Sequence, residues 1–296
     1  MFKMLKGVLS LVLYILNLLG HALVIVCIAL SLFLIPIKKW RLIIQRDFLQ
    51  KMPNSFNRIN DWIMRITTEG HWDISGTGSL KEDGWYLLIS NHVSWIDILV
   101  LGKVFRGKIP PLKFFMKKAL LWQLPIGGLA CYAMGYPFMS RHTHAEIKKN
   151  PSLKGKDVET TKKACRTLRN FPSTLINFSE GTRFTEKKKE RQQSPYKNLL
   201  KPRAGGAAVV LHELHDNMSG ILNVVITYSP KTPNFWEFCC GDFGKIIVRY
   251  ELLPVTPDLV GDYDGDRNFR PQLQQWFNQL WERNDALIEQ FKTTGQ

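Results

Sequence analysis

The segment Asn91-His92-Val93-Ser94-Trp95-Ile96-Asp97 places a histidine and an aspartate five residues apart. A carboxylate beside an imidazole fixes its tautomer and favours its charged form, which makes the ring a general base. On one continuous helix five residues turn through about 500°, leaving the two side chains ~140° apart. They meet only if His92 sits on a loop and Asp97 on the first turn of the helix that follows. Ser94-x-x-Asp97 supports that arrangement, because it has the form of a capping box opening a helix at residues 95–101. The bland reading makes Asp97 a helix cap and His92 a loop residue, and the two readings are compatible. No serine nucleophile is required, since a substrate hydroxyl can take that role.

A second group is Phe178-Ser179-Glu180-Gly181-Thr182-Arg183. Gly181 permits close backbone approach, Thr182 offers a hydroxyl, and Arg183 can grip a phosphate through two parallel hydrogen bonds. Taken alone it reads as a turn with a surface arginine. A third group, Gly135-Tyr136-Pro137-Phe138-Met139-Ser140-Arg141, ends in another arginine after an apolar stretch.

The elements around these groups predict how they are positioned. Residues 85–90 (WYLLIS), 173–178 (STLINF), 221–228 (ILNVVITY) and 246–253 (IIVRYELL) are short, apolar and rich in branched residues, and read as buried strands. Residues 162–170 and 204–215 read as helices, as does a C-terminal stretch holding Leu273, Trp276, Phe277, Leu280, Trp281, Ile288 and Phe291. Strands alternating with helices predict an α/β fold, a mostly parallel sheet flanked by helices. In such sheets ligand-binding loops lie at the carboxyl ends of strands, so the His92 loop and the Arg183 loop are expected to face one crevice.

Residues 8–37 run for thirty positions without one Asp, Glu, Lys or Arg. About 20 apolar residues cross a bilayer, so this is an N-terminal membrane-embedded helical segment with length to spare. It is too long for the apolar stretch of a signal peptide. Lys3 and Lys6 precede it and Lys38, Lys39 and Arg41 follow it, which gives no charge asymmetry. A hairpin breaking near Asn17, Gly20 and His21, with both ends cytoplasmic, fits better than a single crossing; a long tilted helix is the alternative. Residues 1–40 are the anchor in either case. Residues 41–70 form a linker in which Ile59, Trp62, Ile63 and Ile66 make an amphipathic helix, expected to pack on the protein's own core or else to lie on the membrane.

The 296 residues are 45% hydrophobic, enough for a substantial core, and 40 Lys plus Arg against 25 Asp plus Glu give a net charge of +15. Disordered, collagenous and repeat architectures are excluded. Residues 140–203 hold 17 basic against 6 acidic residues, so most of the excess surrounds Arg141 and Arg183. The run Lys187-Lys188-Lys189-Glu190-Arg191 within it reads as a solvated loop. Five cysteines without Cys-x-x-Cys spacing read as reduced thiols in a cytosol-facing protein. His212 and His215 lack the spacing of a zincin pair, and Asp262, Asp264, Gly265 and Asp266 lack that of a calcium loop, so no metal site is expected. Nucleic acid is disfavoured as partner, because an anchor is unnecessary for it and no stacking-aromatic motif accompanies the basic residues.

His-x-x-x-x-Asp, an Arg closing a short apolar segment, Phe-x-Glu-Gly-Thr-Arg and a Val-Ile-Thr-Tyr strand, in that order, resemble the four motifs of the glycerophospholipid acyltransferase family of 1-acylglycerol-3-phosphate type. Within it the chain looks most similar to the bacterial inner-membrane branch related to lysocardiolipin acyltransferases. The resemblance implies an acyltransferase α/β domain over residues 71–296. His92 would be the base that deprotonates a lysophospholipid hydroxyl, and Asp97 would orient it. The alkoxide would attack an acyl thioester, acyl-CoA or acyl carrier protein, with no cofactor and no acyl-enzyme. Glu180, Gly181, Thr182 and Arg183 would shape the acceptor site, with Arg183 and Arg141 on its phosphate. Lys117 would help bind the acceptor, a role Lys118 could fill equally.

Tyr228 stands where many members of the family have Pro, as does Ser179, and both departures bear on chain and head-group preference. Lysophosphatidic acid is the expected acceptor, with lysophosphatidylglycerol or lysocardiolipin as alternatives. The expected setting is an integral membrane protein with its catalytic domain on the cytoplasmic face of a bacterial inner membrane. The contrasting reading is a membrane-tethered protein that binds anionic lipid without catalysis, which would not need His92 and Asp97.

Overall fold

The computed structural model describes residues 2–68, 70–139, 149–150, 156–263 and 265–293. A helical N-terminal part, α1 (Phe2–Ser31), α2 (Lys38–Asp47) and α3 (Met52–Thr67), precedes an α/β domain. That domain runs β1 (His71–Thr77), β2 (Tyr86–Ser90), α4 (Asp97–Phe105), β3 (Leu112–Phe114), β4 (Met116–Lys117), α5 (Leu120–Gln123), α6 (Pro125–Ala133) and β5 (Phe138–Met139). It continues with α7 (Lys156–Leu168), β6 (Thr174–Phe178), α8 (Glu186–Gln192), α9 (Gly205–Leu214), β7 (Gly220–Ser229), α10 (Phe235–Cys239), β8 (Lys245–Leu253) and α11 (Phe269–Thr293).

Among the described residues six strands form one sheet in the order β1-β8-β7-β2-β6-β3, parallel throughout except where β8 turns back antiparallel on β7. β4 and β5 pair separately, in parallel. The expected α/β sandwich is therefore present, and the four strands read from the sequence coincide with β2, β6, β7 and β8. Side chains alternate across a strand, so β2 feeds two cores. Leu87 and Ile89 pack with Leu175, Val225, Leu211 and Trp281 beneath α7, α9 and α11. Tyr86 and Leu88 pack with Ile176, Leu222, Val100 and Ile63 beneath α3 and α4. With helices on both faces, the central strands carry unbroken apolar runs, and all five residues of β2 are buried.

α1 is one uninterrupted helix of 30 residues, about 45 Å long. The break expected near Asn17, Gly20 and His21 does not occur. The polar groups that suggested it are bonded to α3: Asn17 Nδ2 donates to Asn60 Oδ1 at 2.8 Å and to the Phe56 carbonyl at 3.1 Å, and His21 Nε2 pairs with Ser55 Oγ at 3.2 Å. Its buried stripe, Gly7, Ser10, Tyr14, Asn17, Ala22 and Ile25, recurs at helical spacing and faces the protein. Gly7 is required there, because a Cβ would lie 2.5 Å from Cys240 Sγ. The other faces stay apolar and exposed, and among the described residues this is the one helix long and apolar enough to cross a membrane.

The linker is two helices, α2 and α3. Of the α3 stripe only Ile63 reaches the core; Ile59, Trp62 and Ile66 are exposed, while Asn60, Asp61 and Met64 are buried instead. The stripe's periodicity is right, and of the two facings expected for it the outward one is found, because α1 and α4 take the polar flank of α3. Asp61 is held there by Lys103 of α4, by Arg106 at 3.2 Å and by Arg65 at 3.0 Å.

Candidate active site

β2 ends at Ser90, which lies in register with Phe178 of β6 and Val224 of β7. The loops after β2 and β6 therefore leave the sheet side by side, while β7 runs on beneath the first of them. The Asn91 side chain fastens this loop to β7: its Nδ2 donates to the Ile226 carbonyl at 2.8 Å and its Oδ1 accepts from the Ile226 N–H at 2.9 Å. His92 is carried on the loop and Asp97 opens α4, the geometry that the spacing requires.

His92 Nδ1 donates to Asp97 Oδ2 at 2.8 Å. The same oxygen accepts from the backbone N–H groups of Val93 at 2.8 Å and Ser94 at 2.9 Å. The expected capping box is half formed. Asp97 supplies its carboxylate arm, but the helix starts two residues later than predicted, and the Ser94 hydroxyl donates to the Pro233 carbonyl at 3.2 Å instead. Asp97 is thus both cap and partner of the histidine. Its other oxygen accepts a 2.6 Å hydrogen bond from the Tyr228 hydroxyl at the far end of β7. Burial, then the neighbouring Asp97 charge, push the Tyr228 phenol well above its ordinary range, so it stays protonated and donates.

The imidazole of His92 stacks on the Phe178 ring at 4.1 Å, and the His92 side chain keeps 14% of its surface open. With Nδ1 turned to Asp97, Nε2 is the nitrogen left to take a proton from an incoming group. The Phe184 N–H donates to the His92 carbonyl at 2.7 Å, which ties the loop after β6 to the histidine.

That second loop turns on Gly181, whose φ of +70° is a left-handed conformation suited to glycine. A Cβ at 181 would also lie 3.8 Å from the Arg203 side chain, so Arg203 leans over this turn. The Arg183 guanidinium stacks on Trp95 at 4.3 Å from the ring centre. Lys188 bonds Thr182 Oγ1 at 2.8 Å and the Arg183 carbonyl at 2.7 Å. The basic run 187–191, expected to be a solvated loop, lies on helix α8 and sends one ammonium back to the Arg183 turn. Glu180 is the member of the motif that points inward: it is fully buried, and its carboxylate oxygens have no hydrogen bond among the described residues. Burial raises its pKa well above the usual carboxylate range.

Lys117 lies on β4, in register with Met139 of β5; Lys118 follows, exposed. Arg141, with His142 and His144, lies outside the described residues. Next to Trp95 opens an apolar cavity of about 580 Å³, walled by Leu18 and Ile25 of α1, Phe56 of α3, Ile98 of α4 and Ala130 of α6.

Reading the sequence alone passes over Trp95, Lys188 and Arg203 and leaves Tyr228 without a role. A pairing of Arg183 with an aromatic four residues after Asn91 has no local signal, whereas Tyr228 does carry one: a polar group at the end of a buried strand.

A histidine backed by a carboxylate, a basic turn beside it and an apolar cavity next to Trp95 can move a proton from a hydroxyl on an anionic, chain-bearing molecule. Comparison with known proteins gives this arrangement its family: an acyltransferase family model matches residues 71–231, and the chain belongs to that family. It is 29% identical over 223 residues to 1-acyl-sn-glycerol-3-phosphate acyltransferase 3 of Arabidopsis thaliana, covering 70% of this chain and 54% of that protein. It is 30% identical over 155 residues to lyso-ornithine lipid O-acyltransferase of Brucella abortus (strain 2308), covering 52% and 49%. The chain thus spans about half the length of these two relatives. The crystal structure of the 1-acyl-sn-glycerophosphate acyltransferase PlsC from Thermotoga maritima shares the fold, with a TM-score of 0.54 over 97% of this chain and 99% of that one, at 17% identity.

Proposed function

We propose that the protein transfers a fatty acyl group from an acyl thioester to the free hydroxyl of a lysophospholipid, with lysophosphatidic acid as first choice of acceptor and phosphatidic acid as product. The observation that carries this reading is the His92–Asp97 pair, buried at Asp97 and open at Nε2, beside a turn that presents Arg183. His92 Nε2 takes the acceptor hydroxyl proton while Asp97 holds the ring and balances the imidazolium charge. The acceptor oxygen attacks the thioester carbonyl; the C–O bond forms, the C–S bond breaks, and the imidazolium returns its proton to the departing thiolate. Arg183, with Lys188 and Arg203 beside it, binds the acceptor phosphate, and the sequence motifs assign Arg141 and Lys117 to the same phosphate. The cavity beside Trp95 takes an acyl chain; its volume is within the ~300–1,000 Å³ usual for small-molecule sites. Acyl-CoA or acyl carrier protein is the donor, and the domain works at the cytoplasmic face of the membrane that holds α1.

The test is purified full-length protein with acyl-CoA, or with acyl carrier protein carrying the same chain, and a panel of lysophospholipids, read by mass. Phosphatidic acid from lysophosphatidic acid supports the proposal. Product from lysophosphatidylglycerol or lysocardiolipin alone moves the acceptor, and no product from any pair leaves a lipid-binding protein without catalysis.

A further inference from the structure

Residues 119–140 contain no Asp, Glu, Lys or Arg in 22 positions. Most of this stretch folds as α5 and α6, a tight helical pair in which a Cβ on Gly128 would lie 2.6 Å from the Leu121 carbonyl. Its inner face is accounted for: Ala130 and Met134 are buried against Ala22 and Ile25 of α1. Its outer face is not. Trp122 is 76% exposed, Tyr132 67%, and Leu124, Ile126 and Leu129 are also open. A row of large apolar side chains of this kind on a protein surface marks an interaction site.

The neighbour says what covers it. α6 packs directly on α1, whose outward faces expose Leu16, Leu19, Leu23 and Leu30, so the two helices present one continuous uncharged surface. Trp122 and Tyr132 are the amphipathic rings that sit at the lipid headgroup level. Exposed Lys118 stands just before the pair, where an anionic headgroup would complement it. At four and nine residues, α5 and α6 are too short to span the ~20 residues of a crossing. We propose that α5–α6 is a second bilayer-embedded element, seated beside α1 in the interfacial layer. The apolar cavity is then walled by lipid-contacting helices on two sides, α1 through Leu18 and Ile25 and α6 through Gly127 and Ala130. The proposal does not depend on acyl transfer.

Photocrosslinking tests it. A benzophenone amino acid is placed singly at positions 122, 129 and 132 of the full chain, at 16 on α1 as the lipid-facing standard, and at exposed Glu282 on α11 as the aqueous standard. The variants are reconstituted in phosphatidylethanolamine–phosphatidylglycerol vesicles and irradiated. The expected result is a mass shift of one phospholipid at 122, 129 and 132 as at 16, and none at 282; three separate positions guard against one variant misfolding. Positions 122, 129 and 132 behaving like 282, or giving crosslinked pairs of this chain, overturns the proposal, the second outcome assigning the face to another copy.

Discussion

Replacing Tyr228 by Phe removes one oxygen and leaves the ring that fills the end of β7. Asp97 Oδ2 keeps its three partners, His92, Val93 and Ser94, while Oδ1 loses the 2.6 Å bond from Tyr228 and is left buried without a donor. A hydrogen bond to a charged group is worth about 1.5–3 kcal/mol, and each 1.4 kcal/mol is a factor of ten. If that energy holds the carboxylate against rotation, kcat falls roughly 10- to 100-fold. Tyr228 is 5% exposed and its hydroxyl is spent on Asp97, so the KM values for donor and acceptor are expected to stay unchanged. The assay is initial rates with lysophosphatidic acid and acyl-CoA varied in turn, with thermal unfolding followed in parallel. A kcat within about twofold of wild type would refute the reasoning, because the three bonds on Oδ2 would then suffice to set the histidine. So would a change confined to KM.

Arg183→Ala removes the cation on Trp95 and should raise the acceptor KM by about tenfold or more while leaving the donor KM in place; equal effects on both would count against a phosphate role. Glu180→Gln is informative through pH. Burial raises the folded-state pKa of Glu180, whereas the unfolded chain releases that proton above about pH 4.3, so this contribution to stability is full below that pH and lost as pH rises toward the folded value. The variant should therefore match wild type near pH 4 and unfold at a higher temperature near pH 8; parallel curves at both would show Glu180 ionised. Asp61→Ala strips the acidic centre from Lys103, Arg65 and Arg106 and should cost about 3–5 kcal/mol in denaturant unfolding, as for a broken buried ion pair. Burial opposes the ionisation of Asp61, but those cations outweigh it and hold its pKa below the usual range, so wild-type stability from this cluster is present above about pH 4 and declines in acid.

How much of this was legible beforehand follows from the range of each interaction. His92 and Asp97 could be paired from the sequence because the turn that joins them is five residues long and helix geometry alone decides whether they meet. The strands were legible for the same reason: burial on both faces is written into consecutive residues. Tyr228 is 131 residues from Asp97, and nothing local says that β7 outruns β2 to reach it. Asn17 and His21 looked like a break because polar groups in an apolar helix need partners, and those partners are 34–43 residues away on α3. Ile59, Trp62 and Ile66 show that periodicity defines an apolar face without saying what that face meets. Lys188 illustrates the reverse, a residue in a run of like charges that helix α8 turns back to the Arg183 carbonyl. The uncharged stretch 119–140 was readable from composition alone, but its exposure required the packing of α6 on α1.

The central claim is that His92 Nε2 performs the proton transfer, and the most direct measurement compares purified wild type and His92→Ala in single-turnover acyl transfer at matched membrane content. The expected result is phosphatidic acid from wild type and none above background from the variant, with vesicle binding and acceptor affinity retained. Turnover surviving in folded His92→Ala would contradict it.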